Sequence, residues 1–228
     1  MTDYLFPPAP PSALPVVGET ALFPVRRIFC VGRNYAEHAR EMGNDTREPP
    51  FFFTKPADAL VTGDARIPFP PATADLHHEA ELVVAIGRGG QDIAAGAALE
   101  HVWGYAPGND LTRRDLQAQA KAMRRPWDMA KAFDDSAICG ALRPVSEVGH
   151  PATGRITARV NGTLRQDGDL SEMIWPVADI VTYLSAMVAL APGDLIYTGT
   201  PAGVGALARG DRCTVEIEGL GAVTTELA

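Results

Sequence analysis

Apolar and polar positions along this chain follow short periods that change often. Apolar, β-branched runs bounded by Gly or Pro predict buried strands over residues 25–31, 82–86, 102–106 and 195–198. An aromatic run predicts another over 51–54, and strands over 213–217 and 222–227 close the chain. Residues 156–160 alternate, Asn161-Gly162 is a strong two-residue hairpin turn, and 163–167 return as the second strand. Helical spacing is rarer. Asn34 is placed to cap a short helix over 35–42 that Gly43 stops. Residues 92–101 and 112–123 have helical pattern. The longest amphipathic helix, 176–191, carries Val177, Ile180, Val181, Leu184, Met187 and Val188 at core-covering positions. Residues 1–24 are rich in proline and have no clear period. They read as an irregular arm, with one extended piece around 14–17, ahead of a single domain over 25–228. The expected fold class is α+β, rich in short mixed strands with few helices.

Composition narrows the function without naming it. A chain of 228 residues, 46% hydrophobic and 21% charged, is long enough for one sizeable core. Its net charge of -8 argues against non-specific nucleic-acid binding. No stretch approaches the ~20 apolar residues of a membrane span, and the N-terminus lacks the basic and apolar regions of a signal peptide. Cys30, Cys139 and Cys213 are odd in number and widely spaced. They read as buried free thiols of a reducing compartment, the cytoplasm, and not as disulfides or a zinc site.

The candidate chemistry centres on residues 77–87, His-His-Glu-Ala-Glu followed by an apolar run to Gly87. On a strand Glu79 and Glu81 share one face, while Ala80 and Leu82 face the core. Two carboxylates so placed repel unless a positive group sits between them, and hard oxygen ligands suit Mg2+, Mn2+ or Ca2+. A solvated strand face would carry the same pattern. Elsewhere, His38 and Glu41 are three apart on the expected helix, an arrangement that orients a general base. Lys55 ends the aromatic strand, where it faces a cleft or solvent. Asp110 sits at the exposed tip of the loop Pro107-Gly108-Asn109-Asp110. Arg114 and Gln117 share a helix face, and Lys131 lies among aromatics as a candidate for oxyanion stabilisation. The Gly-rich loop 199–205 lacks the Gly-Lys-Ser/Thr ending of a phosphate loop.

Each signal is weak alone; their order is specific. Gly32-Arg33-Asn34-Tyr35 with His38 and Glu41, Lys55-Pro56, residues 78–82, Asn109-Asp110 with Arg114 and Gln117, Lys131, and Tyr197-Thr198-Gly199-Thr200-Pro201 form a series. This series resembles the fumarylacetoacetate hydrolase family over residues 25 to 227, and most closely its short members that act on acylpyruvates, fumarylpyruvate hydrolases in particular. The resemblance implies a strand-rich mixed β roll, commonly a homodimer. It implies Glu79, Glu81 and Asp110 as ligands for Mg2+ or Mn2+. It implies His38 and Glu41 as the water-activating dyad, on a segment that orders over substrate, and Lys131 and Gln117 as oxyanion contacts. Arg114, Lys55 and Thr200 match substrate-contacting positions, with Arg33 and Tyr35 as further candidates.

The implied reaction is hydrolysis of a carbon–carbon bond in a 2,4-dioxo acid, fumarylpyruvate giving fumarate and pyruvate in aromatic (gentisate) catabolism. The implied partner is a small-molecule dioxo acid, with no nucleic acid or membrane. Arg114 or Arg33 would grip the distal carboxylate. Oxaloacetate decarboxylation, isomerisation of related dioxo acids and a non-catalytic metal-binding role remain open at this point.

Overall fold

The structure, a computed structural model, describes residues 3–37 and 49–228. The expected helix over 35–42, with His38 and Glu41, lies outside the described residues for all but its first positions. The largest sheet has the strand order Phe51–Lys55, Arg27–Gly32, Asp194–Tyr197, Ala80–Ile86, Val102–Asp110, Ala137–Cys139, Leu60–Thr62. It is mixed: Arg27–Gly32 runs parallel to Asp194–Tyr197, and Ala80–Ile86 antiparallel to its neighbours. A second, five-stranded sheet has the order Thr163–Asp169, Arg155–Val160, Arg212–Ile217, Gly221–Leu227, Ala65–Ile67. A three-stranded ribbon, Thr112–Arg113, Leu76–His78, Gly205–Leu207, lies across one end of the site. The strand-rich, mixed architecture with few helices is the one expected.

The strand Ala80–Ile86 is buried on both faces, which is why residues 82–86 read as an apolar run. Leu82, Val84 and Ile86 pack with Val215, Val223 and Ile156 of the second sheet in the main core. Val83 and Ala85 face the other way, into a smaller core with Ile28, Leu195 and Ala106. Leu14, Val16 and Phe23 complete this smaller core. Residues 13–17 and 23–24 are therefore docked, while residues 3–11, which carry four of the prolines, are exposed. Ala13–Leu14 pairs with Phe23–Pro24, and Val17 N–H donates to the Leu142 carbonyl at 2.9 Å. The helix Val177–Met187 covers the main core through Val177, Ile180, Val181 and Leu184. It is shorter than its pattern, and Met187 is exposed.

The hairpin at Asn161-Gly162 forms as expected, with φ of 50° and 81° at the turn residues. Other expectations are corrected. Residues 92–101 form a 3-10 helix only over Ala95–His101. Pro107-Gly108-Asn109-Asp110 is not a loop: the strand runs through it as Val102–Asp110, and Asp110 is fully buried. Turn-forming residues are held extended there because both edges are paired, Gly108 with Glu81 and Cys139 and Asn109 with Ala80 and Ile138. Among the described residues no helix is long and apolar enough to cross a membrane.

Candidate active site

The pleat assembles the acidic centre. Glu79 lies where the chain passes from the ribbon strand Leu76–His78 to the sheet strand Ala80–Ile86. Glu81 pairs across the sheet with Gly108, two residues before Asp110, so Glu81 and Asp110 share a face. Asp110 N–H donates to the Glu79 carbonyl at 2.9 Å, and Glu79 N–H to Asn109 Oδ1 at 2.9 Å. The carboxylates of Glu79, Glu81 and Asp110 are buried, with one oxygen from each within 4.8 Å of the others.

Three cations surround this cluster. Lys131 ends the short helix Asp128–Lys131, and its Nζ donates to Glu79 Oε2 at 2.6 Å and Asp110 Oδ2 at 2.7 Å. Burial works against its ammonium, but the Asp110 and Glu79 charges win and raise its pKa. Lys55 Nζ lies 2.8 Å from Asp110 Oδ1 and donates to the carbonyls of Leu111, at 3.1 Å, and Lys131. Arg114 Nη2 lies 2.5 Å from Glu79 Oε1. Its Nη1 donates to Gln117 Oε1 at 2.7 Å, which leaves the Gln117 amide as a donor toward the cleft.

Glu81 is the least compensated carboxylate. Its Oε2 accepts a hydrogen bond from Gly199 N–H at 2.8 Å. Burial, with the charges of Asp110 and Glu79, pushes its pKa well above the carboxylate range. Gly199 reaches it because φ is +96° and a Cβ there would lie 2.7 Å from Asn34 Cβ. Three buried carboxylates with only oxygen donors, one lacking a side-chain cation, fit a hard divalent ion.

Above the carboxylates opens a cleft lined by Val31, Gly32, Arg33, Phe51, Phe53, Glu79, Glu81, Arg114, Gln117, Lys121, Trp127, Lys131 and Thr200. Phe51 and Phe53 meet Trp127 at ring distances of 5.3 and 5.9 Å, giving the cleft an aromatic wall. Arg33 holds a left-handed backbone, φ 60°, with its guanidinium over Phe51. On the opposite wall, Gln166 is a buried hub. Its Oε1 accepts from Ala80 N–H at 3.0 Å and from His78 Nδ1 at 2.9 Å; its Nε2 donates to the Pro201 carbonyl at 2.8 Å and to Thr200 Oγ1 at 2.7 Å. A backbone N–H can only donate and a carbonyl only accept, so the amide has one orientation. The Thr200 hydroxyl therefore accepts from Gln166 and offers its own proton to the cleft.

Of the residues expected from sequence, Glu79, Glu81, Asp110, Lys131, Gln117, Arg114, Thr200 and Arg33 come together here. His38 and Glu41 lie outside the described residues. Lys55 does not line the cleft; its ammonium donates to the Leu111 and Lys131 carbonyls and pairs with the Asp110 carboxylate. Tyr35 is buried behind Glu81 and does not line the cleft; its hydroxyl has no hydrogen-bond partner among the described residues. Arg114 lines the cleft with its guanidinium on Glu79 and Gln117. Sequence reasoning missed Gln166, Lys121 and the aromatic wall. Lys121 was within reach: it follows Arg114 and Gln117 on the same helix face. Gln166 carries no local signal, because its meaning comes wholly from the facing strand.

The fumarylacetoacetate (FAA) hydrolase C-terminal profile matches residues 27–228. A crystal structure of fumarylpyruvate hydrolase from Pseudomonas aeruginosa, in complex with Mn2+ and pyruvate, superposes with a TM-score of 0.98 at 52% identity, covering 99% of both chains. An oxaloacetate tautomerase of Rattus norvegicus mitochondria is 40% identical over 86% of this chain and 88% of its own. A mitochondrial oxaloacetate decarboxylase of Dictyostelium discoideum is 39% identical over 86% of this chain and 90% of its own. With the profile spanning nearly the whole chain and its acidic centre in place, the protein belongs to the fumarylacetoacetate hydrolase family.

Proposed function

We propose that this enzyme hydrolyses a carbon–carbon bond in a 2,4-dioxo acid, with fumarylpyruvate cleaved to fumarate and pyruvate as its reaction. The observation that carries this reading is the convergence of the Lys131 ammonium, the Gln117 amide and the Thr200 hydroxyl on one cleft above the buried triad. The likeness to the Pseudomonas aeruginosa fumarylpyruvate hydrolase supports this substrate.

In this reading Glu79, Glu81 and Asp110 hold Mg2+ or Mn2+. When bound, the ion would supply Lewis-acid polarisation and would offset negative charge developing on the pyruvoyl fragment. His38, oriented by Glu41, takes a proton from water as the water oxygen bonds to the acyl carbon distal to the pyruvoyl end. Lys131 and Gln117 donate to the oxyanion that forms there. The adjacent carbon–carbon bond then breaks, its electron pair stays with the pyruvoyl fragment, and His38 returns the proton to that carbon. Thr200 donates to a substrate oxygen. Arg114 holds Glu79 and Gln117 in place, and Lys55 and Tyr35 support the acidic centre from behind. The enzyme works in the cytoplasm as a homodimer in gentisate breakdown.

The second reading is oxaloacetate tautomerisation or decarboxylation, favoured by the tautomerase and decarboxylase relatives. Steady-state turnover of fumarylpyruvate, oxaloacetate and acetylpyruvate with Mg2+, with product identification and an EDTA control, separates the two. EDTA-sensitive release of fumarate and pyruvate, at kcat/KM well above the other substrates, is expected. A preference for oxaloacetate would overturn the hydrolase reading and keep the metal site.

A further inference from the structure

We infer that Lys121 sets the specificity of this cleft: its ammonium receives the carboxylate at the far end of a dicarboxylic 2-oxo acid whose near end is held at Glu79, Glu81 and Asp110. The inference rests on the metal-site part of the proposed function, and it names the substrate class as dicarboxylate.

Lys121 follows Arg114 and Gln117 at spacings of seven and four on the helix Arg114–Ala122, so the three share one face. Arg114 and Gln117 serve the floor. Every guanidinium nitrogen of Arg114 is engaged, by Glu79 at 2.5 Å, Gln117 at 2.7 Å and His77 Nδ1 at 3.4 Å. Lys131 and Lys55 are likewise occupied by the acidic cluster. Seven residues of helix advance about 10 Å, which carries Lys121 from the floor to the mouth. There its ammonium lies 5.2 Å from the Trp127 ring centroid, and no carboxylate among the described residues pairs with it. Partial burial lowers its pKa, and the positive charges of Arg114 and Arg33 lower it further. Among the described residues the charges that act on Lys121 are thus mostly positive, with Glu79 the one carboxylate among them.

The span and the walls agree with this assignment. An extended seven-carbon diacid, with C–C bonds of about 1.5 Å, separates its carboxylate carbons by about 7–8 Å. One end on the floor therefore brings the other within reach of a lysine at the mouth. Between them, Phe51, Phe53 and Trp127 offer a flat apolar wall suited to a planar unsaturated chain.

Two ligands that lack the 4-oxo group, and so cannot undergo this cleavage, isolate the distal carboxylate: 2-oxoheptanedioate and 2-oxoheptanoate. Each is titrated calorimetrically into the full-length protein loaded with Mg2+. The wild type should bind the diacid about tenfold tighter, the value of one charge-assisted contact at a half-exposed site. Lys121→Met should abolish this preference and leave the monoacid within about twofold; Lys121→Arg should keep most of it. No preference in the wild type, whether both ligands bind or neither, overturns the inference. So does a preference that survives Lys121→Met, or an equal loss for both ligands. The readout is independent of turnover: a retained diacid preference with no hydrolysis of fumarylpyruvate would sink the hydrolase reading and leave Lys121 in its role.

Discussion

Replacing Lys55 by Met tests whether this lysine acts on the substrate or on the protein. Its side chain and that of Asp110 are both fully buried, with Nζ 2.8 Å from Asp110 Oδ1. Its other protons go to the Leu111 and Lys131 carbonyls, and its ammonium also lies 5.4 Å from the Phe133 ring. Methionine keeps most of the volume and removes the charge and every donor. Removing one partner of a buried ion pair costs about 3–5 kcal/mol. For a chain of this length each kcal/mol lowers Tm by about 2–4 °C, so a fall of about 6–20 °C is expected in EDTA. A second effect has the opposite sign. With one positive charge gone from beside Asp110, a divalent cation binds the native state more favourably, and Mg2+ should raise Tm by more in Lys55→Met than in the wild type. Paired thermal melts in EDTA and in Mg2+, followed by circular dichroism, read both effects. An unchanged Tm accompanied by a raised KM would refute the reasoning and return Lys55 to the substrate, the role that the family resemblance implied.

Three further outcomes follow from the structure. Glu81→Gln preserves an acceptor for the Gly199 N–H and removes the least compensated charge; Mg2+ affinity by calorimetry should fall by about tenfold or more while the EDTA melt holds, and an unchanged affinity would remove Glu81 from the ligand set. Burial pushes Cys139 and Cys213 up to about 12, above their ordinary value near 9. The native protein should therefore resist Ellman's reagent at pH 8, and fast labelling would contradict the burial. The same shift sets a pH dependence. From about pH 9 toward 12 the unfolded chain releases thiol protons that the folded chain retains, so stability should fall as pH rises through that window.

How much of this was legible in the sequence depends on whether a residue's role is local. The strand Ala80–Ile86 announced itself through residues 82–86, where burial on both faces demands an apolar run, and Asn161-Gly162 because few other pairs accept positive φ at both turn positions. Glu79 and Glu81 were legible as a pair by spacing; Asp110 was named with them but placed on an exposed loop, because Pro107-Gly108-Asn109 has turn chemistry that pairing on both edges overrides. Lys55 marks a deeper limit. A lysine at a strand end reads as a cation looking for an anion, and the anion here is the protein's own Asp110. Gln166 shows the same limit from the other side. Nothing around it in sequence distinguishes it from a surface glutamine, yet its amide fixes the path of residues 78–80 and the direction of the Thr200 proton at once. Residues that touch substrate tend to sit on motifs. Those that orient them are set by the facing strand, and only the assembled sheets bring 166 to 80 and 200. The part of specificity still within sequence reach is therefore the helical face, where Arg114, Gln117 and Lys121 rise from floor to mouth at spacings the chain itself states.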